Sequence, residues 1–217
     1  MPLHSQESLF QMLFVMYSKV TDFQPSIINL TISGMPIVNN KEVLEWKAFA
    51  HPDGATRDLS LFNAHEVTYI QCATGKPDRE YRFLVTYSCH CFCKDYSYQT
   101  AETRTALMYH APKESRPFCD RRYSLARQFL RNIIETLGIR KIMHAGYGSY
   151  AAVEIQLESG ETAYYYVVFN VFREKKKYRL HVSSAYPVEM KPGGKAVSFF
   201  VIAHNLRAGK PLPLPPK

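Results

Sequence analysis

Residues 121–137 read RRYSLARQFLRNIIETL, and Gly138 follows. Leu125, Phe129, Ile133 and Leu137 recur every fourth position, reinforced by Ala126, Leu130 and Ile134. That spacing lays one apolar stripe along a helix. Asp120 suits the helix start as a cap, Gly138 suits a left-handed stop, and Arg127 and Arg131 lie one turn apart on the outer side. Beyond Gly138 the period drops to two. Residues 151–157 (AAVEIQL), 162–173 (TAYYYVVFNVFR), 178–186 (YRLHVSSAY) and 198–203 read as strands joined by short turns. Connections this short exclude crossovers, so the meander is antiparallel, and the helix must pack on one face of it. The fold class expected is α+β.

Upstream, residues 5–18 read as an amphipathic helix, with Leu9, Met12, Leu13 and Met16 at helical spacing and Ser5 as cap. Strands are expected at 27–33, 43–49 and 66–72, and one runs from Tyr81 to Cys93 with both faces partly apolar, as in a central strand. Residues 100–110 suit a short helix. The loop 111–117 (APKESRP) marks a change of charge. Residues 1–118 carry 11 Lys/Arg against 12 Asp/Glu, whereas 119–217 carry 16 against 7. The chain therefore divides into a near-neutral α+β region, 1–118, and a basic region, 119–217, ending in a Pro-rich tail. The two are read as separate units or as parts of one continuous domain.

The 217 residues include 46% hydrophobic and 21% charged residues, enough for a real core and too apolar for a disordered chain. No stretch reaches 18 apolar residues, so no membrane-spanning helix is expected. The N-terminus lacks a basic segment and a small-residue cleavage site, which points to the cytoplasm. The five cysteines are an odd number, and Cys89, Cys91 and Cys93 are spaced by two, unlike a disulfide framework. On a strand that spacing also holds neighbouring thiols too far apart for easy chelation, so Cys89–Cys93 read as buried small hydrophobes, with no metal and no cofactor expected. His90 stands out as a polar residue among them.

A net charge of +8, all of it from the second half, suits an anionic partner: RNA, or an acidic protein partner or inhibitor. Alternation along 178–186 puts Tyr178, Leu180, Val182, Ser184 and Tyr186 on one side and Arg179, His181, Ser183 and Ala185 on the other. Arg173 and Lys175, Lys176 and Lys177 sit at the adjoining hairpin end. Arginine forks phosphate, histidine shuttles protons near neutral pH, and serine or tyrosine supplies a hydroxyl. Such groups serve metal-independent RNA cleavage, in which a base activates the ribose 2′-OH and an acid protonates the leaving oxygen. His144 lies in the Gly-rich bend MHAGYGSY, 143–150. Arg121 and Arg122 open the long helix, where first-turn N–H groups favour phosphate, and Tyr165 offers a ring for base stacking. The acids of the second half are scattered, against a two-metal nuclease. No P-loop, HExxH or G-x-S-x-G occurs.

The helix 121–137 followed by the strands Tyr164–Arg173 and Tyr178–Tyr186, with its SSAY ending, resembles the barnase, EndoU, colicin and RelE-like ribonucleases, over about residues 119–203. It is similar to toxin-like members carried by phages and mobile elements. The resemblance implies RNA cleavage without a metal, with the catalytic roles falling on His181, Ser183 or Ser184, Tyr186, Arg173 and His144. The nucleic-acid contacts would come from Arg121, Arg122, Lys175, Lys176, Lys177, Arg179 and Tyr165. The alternative is a binding or structural protein without catalytic activity that recognises an acidic protein. Oligomeric state is not legible in the sequence.

Overall fold

The computed structural model describes residues 42–214 except 147, 153–154, 157–161 and 191–193. The helix expected at 5–18 and the strand at 27–33 lie outside the described residues. In chain order the strands are β1 (Phe49–Ala50), β2 (Thr56–Arg57), β3 (His65–Ala73), β4 (Lys76–Tyr87), β5 (Met108–His110) and β6 (Ser115–Pro117). They continue as β7 (Ile142–Gly146), β8 (Ser149–Ala152), β9 (Ile155–Gln156), β10 (Thr162–Glu174), β11 (Lys177–Val188) and β12 (Ala196–Val197). Helix α1 is Ala101–Ala106. Helix α2 begins as Asp120–Leu125, passes through a π-helical turn at Ala126–Leu130, and ends as Arg131–Glu135 with a 3₁₀ turn at Leu137–Ile139. Helix α3 is Phe199–Ala208.

The main sheet has the order β12-β7-β8-β10-β11-β4-β3, with β9 also pairing β10. The α+β class and the helix packed on a sheet are as the sequence predicts, and β7, β8, β10 and β11 are mutually antiparallel neighbours. The sheet as a whole is mixed, because β11 pairs with β4 in parallel, Tyr178 beside Phe83 and His181 beside Thr86. The near-neutral and basic halves of the described chain thus share one sheet. One face is the core: Tyr69, Phe83, Val85, Phe169, Val171, Leu180 and Val182 are buried there. Helix α2 supplies Ala126, Leu130, Ile133, Ile134 and Leu137, and the Tyr69 hydroxyl donates to the Ile134 carbonyl at 2.6 Å. The π-helical turn rotates the stripe, so Leu125 and Phe129 are only half-buried.

Several expectations are corrected. Residues 199–208 are helix, not strand. Phe199, Ile202, Ala203 and Leu206 are buried at positions i, i+3, i+4 and i+7, and Gly209 closes the helix with φ 65°. Phe199 packs on Tyr69 with ring centroids 4.4 Å apart and on Phe83 at 5.7 Å. Gly138 is no left-handed cap. It lies inside the 3₁₀ turn, where a Cβ would stand 3.0 Å from Phe200 Cζ, so glycine is there for close approach. Cys119, not Asp120, is the helix N-cap residue. The strand starting near Tyr81 stops at Tyr87 rather than Cys93: Ser88 Oγ accepts the His90 N–H at 3.3 Å and folds Cys89–Cys91 into a 3₁₀ turn. The strand expected at 43–49 survives only as Phe49–Ala50, and Met108–His110 leaves the expected helix for a strand.

Candidate functional site

Two polar regions lie on the β10–β11 hairpin. Along β11 the expected faces hold as far as a bulge. Phe169 pairs Val182 and Val168 pairs Ser184, which leaves Ser183 as the extra residue. Past the bulge the parity flips. Ala185, not Ser184, continues the buried line of Leu180 and Val182, so Ser184 and Tyr186 change sides relative to the simple alternation. Ser183 Oγ donates to the Val168 carbonyl at 3.3 Å.

Arg179 and His181 do share a face, the one opposite helices α2 and α3, but they are turned inward onto partners. Arg179 pairs with the buried carboxylate of Glu42, and its Nε lies 3.5 Å from Glu174 Oε2. His181 Nδ1 lies 3.0 Å from Thr86 Oγ1 and 3.7 Å from Glu42 Oε1. Burial pushes the His181 pKa down to about 4, against the pull of Glu42, while Lys113, Arg179 and His90 add repulsion. Burial therefore favours the neutral imidazole, and residues of the first half of the chain pack against it.

Ser184 and Tyr186 lie past the bulge on the same face, but Arg173, His144 and Tyr165 do not converge on it. Arg173 pairs directly with Tyr178, so it projects from the core side of the sheet, opposite to His181. His144 pairs with Tyr150 on β8, its ring 5.5 Å from that of Tyr150, and Tyr150 packs on Phe169 in the core. From His144 to β11 is three strand spacings, about 14 Å. Tyr165 is 1% exposed, and burial raises its hydroxyl pKa well above the usual value, so its ring is core and not a stacking platform. Arg122 is buried as well. Its Nη1 donates to the carbonyls of His90 at 2.6 Å and Cys93 at 3.2 Å, and its guanidinium lies over the Tyr186 ring. These bonds, rather than phosphate, account for Arg122. Arg121 is half-buried in the same turn.

Past the end of β4 lies a second cluster that sequence spacing missed. The turn aims His90 Nε2 at Glu114 Oε1, 2.8 Å away, and the Cys89 thiol donates to the same oxygen at 3.4 Å. Arg116 holds the other carboxylate oxygen. The bond from His90, then that from Arg116, holds the Glu114 pKa down at about 2, while burial and then Glu114 push the Cys89 thiol up to about 12. Cys91 and Cys93 are buried, as expected for small apolar side chains.

The second polar region is the hairpin end itself. Lys175 and Lys176 form its two-residue turn with φ 46° and 69°, closed by the pairing of Glu174 with Lys177. Arg173 and all three lysines are exposed, and the exposed Arg82 precedes Phe83, the β4 partner of Tyr178.

Residues 46–207 match the YjaZ family. This chain belongs to the YjaZ family. Protein YjaZ of Escherichia coli (strain K12) is 56% identical over 177 residues, which is 82% of this chain and 99% of that relative. The YjaZ match spans the main sheet up to Arg207 in α3, and with it the whole β10–β11 hairpin, while Glu42 lies before it. No solved structure matches the chain. Among the described residues no helix is long and apolar enough to cross a membrane.

Proposed function

We propose that this YjaZ-family protein is a non-enzymatic RNA-binding protein whose contact element is the β10–β11 turn. The observation that carries this reading is the backbone of Lys175 and Lys176. A two-residue hairpin turn with both φ values positive favours Asn-Gly, and a left-handed residue with a Cβ costs on the order of 1 kcal/mol. Here both positions are lysine, and among the described residues the adjacent Glu174 lies against Arg179 rather than either ammonium. Among the described residues no ion pair offsets the local cost. It sets two charges at the tip of the sheet, beside Arg173, Lys177 and Arg82, where a phosphate backbone can meet them.

The arrangement does not favour the ribonuclease reading. Acid–base cleavage needs a proton-transfer pair and a cation around one phosphate. His181 is buried on Thr86, Arg173 points from the opposite face, and His144 sits three strands away. The test is a titration of short single-stranded RNA at about 50 and about 200 mM salt in excess EDTA, with the RNA recovered afterwards. Affinity is expected to fall steeply with salt and the RNA to return intact. Absent or salt-insensitive binding would remove RNA and favour an acidic protein partner. Cleavage that vanishes in His181→Asn would restore the ribonuclease reading.

A further inference from the structure

The turn after β4 brings together three side chains that the RNA-binding reading does not use. The Cys89 sulfur, one ring nitrogen of His90 and one carboxylate oxygen of Glu114 all lie within 4.8 Å of one another. We propose that Cys89, His90 and Glu114 form a zinc site with one coordination position left open.

The geometry is close to what such an ion needs. Tetrahedral zinc, with bonds of about 2.0–2.3 Å, holds its ligand atoms roughly 3.2–3.8 Å apart. Two edges of the present triangle are 2.8 Å and 3.4 Å, so the shortest must open by a few tenths of an ångström. One thiolate, one imidazole and one carboxylate make a mixed donor set suited to zinc rather than to magnesium or calcium, which prefer oxygen.

The surroundings already orient these ligands. Arg116 occupies the second oxygen of Glu114 and turns the first towards Cys89 and His90. Ser88 Oγ and Arg122 fix the turn through the N–H and carbonyl of His90. Outer partners of this kind set ligand direction in metal sites. Cys89 is buried, while the His90 and Glu114 side chains are 25% and 34% exposed, so an ion has an approach from one side. A nucleophilic thiol fits less well. Cys89 donates to a carboxylate, and the imidazole nitrogen that could take its proton faces Glu114 instead. On binding, the Sγ–H proton passes to solvent and the freed sulfur pair forms the Zn–S bond, with no change of oxidation state.

The sequence spacing Cys-x-Cys argued against a metal, because it compared thiols along a strand. The actual donors are neighbours on a turn plus an acid 24 residues away, next to β6.

The probe is Co²⁺, added to the full chain after chelator treatment and removal of the chelator. One equivalent is expected to give a thiolate-to-cobalt absorption band in the near ultraviolet, bleached by one equivalent of Zn²⁺, with at least one proton released per zinc. Cys89→Ser should abolish the band, and Glu114→Gln should weaken cobalt binding by roughly 10-fold or more. Replacing the exposed Cys72, as Cys72→Ser, should change nothing. Near-ultraviolet circular dichroism of each variant establishes that it is folded, and Glu114→Gln carries the test if Cys89→Ser is not. No band at micromolar cobalt, or a band that survives both Cys89→Ser and Glu114→Gln, overturns the site.

Discussion

Arg173 and Arg179 lie six positions apart on one hairpin and meet opposite fates. Arg179 is turned into the protein, against Glu42 and Glu174, beside a His181 that burial keeps neutral. Arg173 and the three lysines after it stand in solvent. The chemistry of the side chains is the same; strand parity and what covers each face differ. A cluster of cations in sequence is thus two clusters in space, one paired inside the protein and one exposed.

The largest effect expected is on the structural side. Arg179→Met leaves Glu42 buried without its cation, which should cost about 3–5 kcal/mol in urea unfolding. Restoring neutrality with Glu42→Gln in the same chain should recover much of that loss. Arg173→Ala should stay within about 0.5 kcal/mol of the parent. Equal losses in the two single variants would break the distinction.

A smaller effect follows from His181. Its pKa is lowered in the folded protein, to about 4 from an ordinary 6.5. Between those values the unfolded chain binds the extra proton, so stability is fully present above about pH 6.5 and falls as pH drops towards 4. The loss should be on the order of 3 kcal/mol, read from unfolding midpoints across that window. His181→Asn should flatten this slope. Glu42, Lys113, Arg179 and His90 all act on the ring through their charges, and replacements there should shift its pKa.

The smallest effect has the opposite sign. Lys175→Asn with Lys176→Gly suits the left-handed turn and should stabilise the protein by about 1 kcal/mol, measured as a raised melting temperature. A stabilised protein that binds RNA less well would sharpen the contrast between the paired and the free cations.

How much of this was legible in the sequence varies by element. The helix after Cys119 and the β10–β11 pair were legible, since a period of 3.6 switches to 2 and only a two-residue turn joins the strands. The parallel pairing of β4 with β11 was not. It joins residues such as Thr86 and His181, 95 positions apart, and no local pattern encodes it. The run 198–203 was ambiguous, because a short apolar stretch fits a strand or a buried helix; Ser198 before it and Gly209 beyond it were the signals for a helix. Simple alternation puts Arg179 and His181 on one face. The bulge at Ser183 and the partners Thr86 and Glu42 decided that this face is filled, and alternation carries neither. The opposite direction of Arg173 could have been counted through the two-residue turn. The Cys89–His90–Glu114 cluster depends on β4 stopping at Tyr87, where Ser88 was the one available hint.

The most direct test of the account is the salt dependence of RNA affinity in three proteins: the parent, the Lys175→Asn/Lys176→Gly variant, and His181→Asn. Each phosphate that a variant no longer neutralises should reduce the slope of log affinity against log salt by about 0.7 for single strands. The account predicts a slope shallower by about one to one and a half in the turn variant and unchanged in His181→Asn. An unchanged slope in the turn variant, or a change confined to His181→Asn, would contradict it.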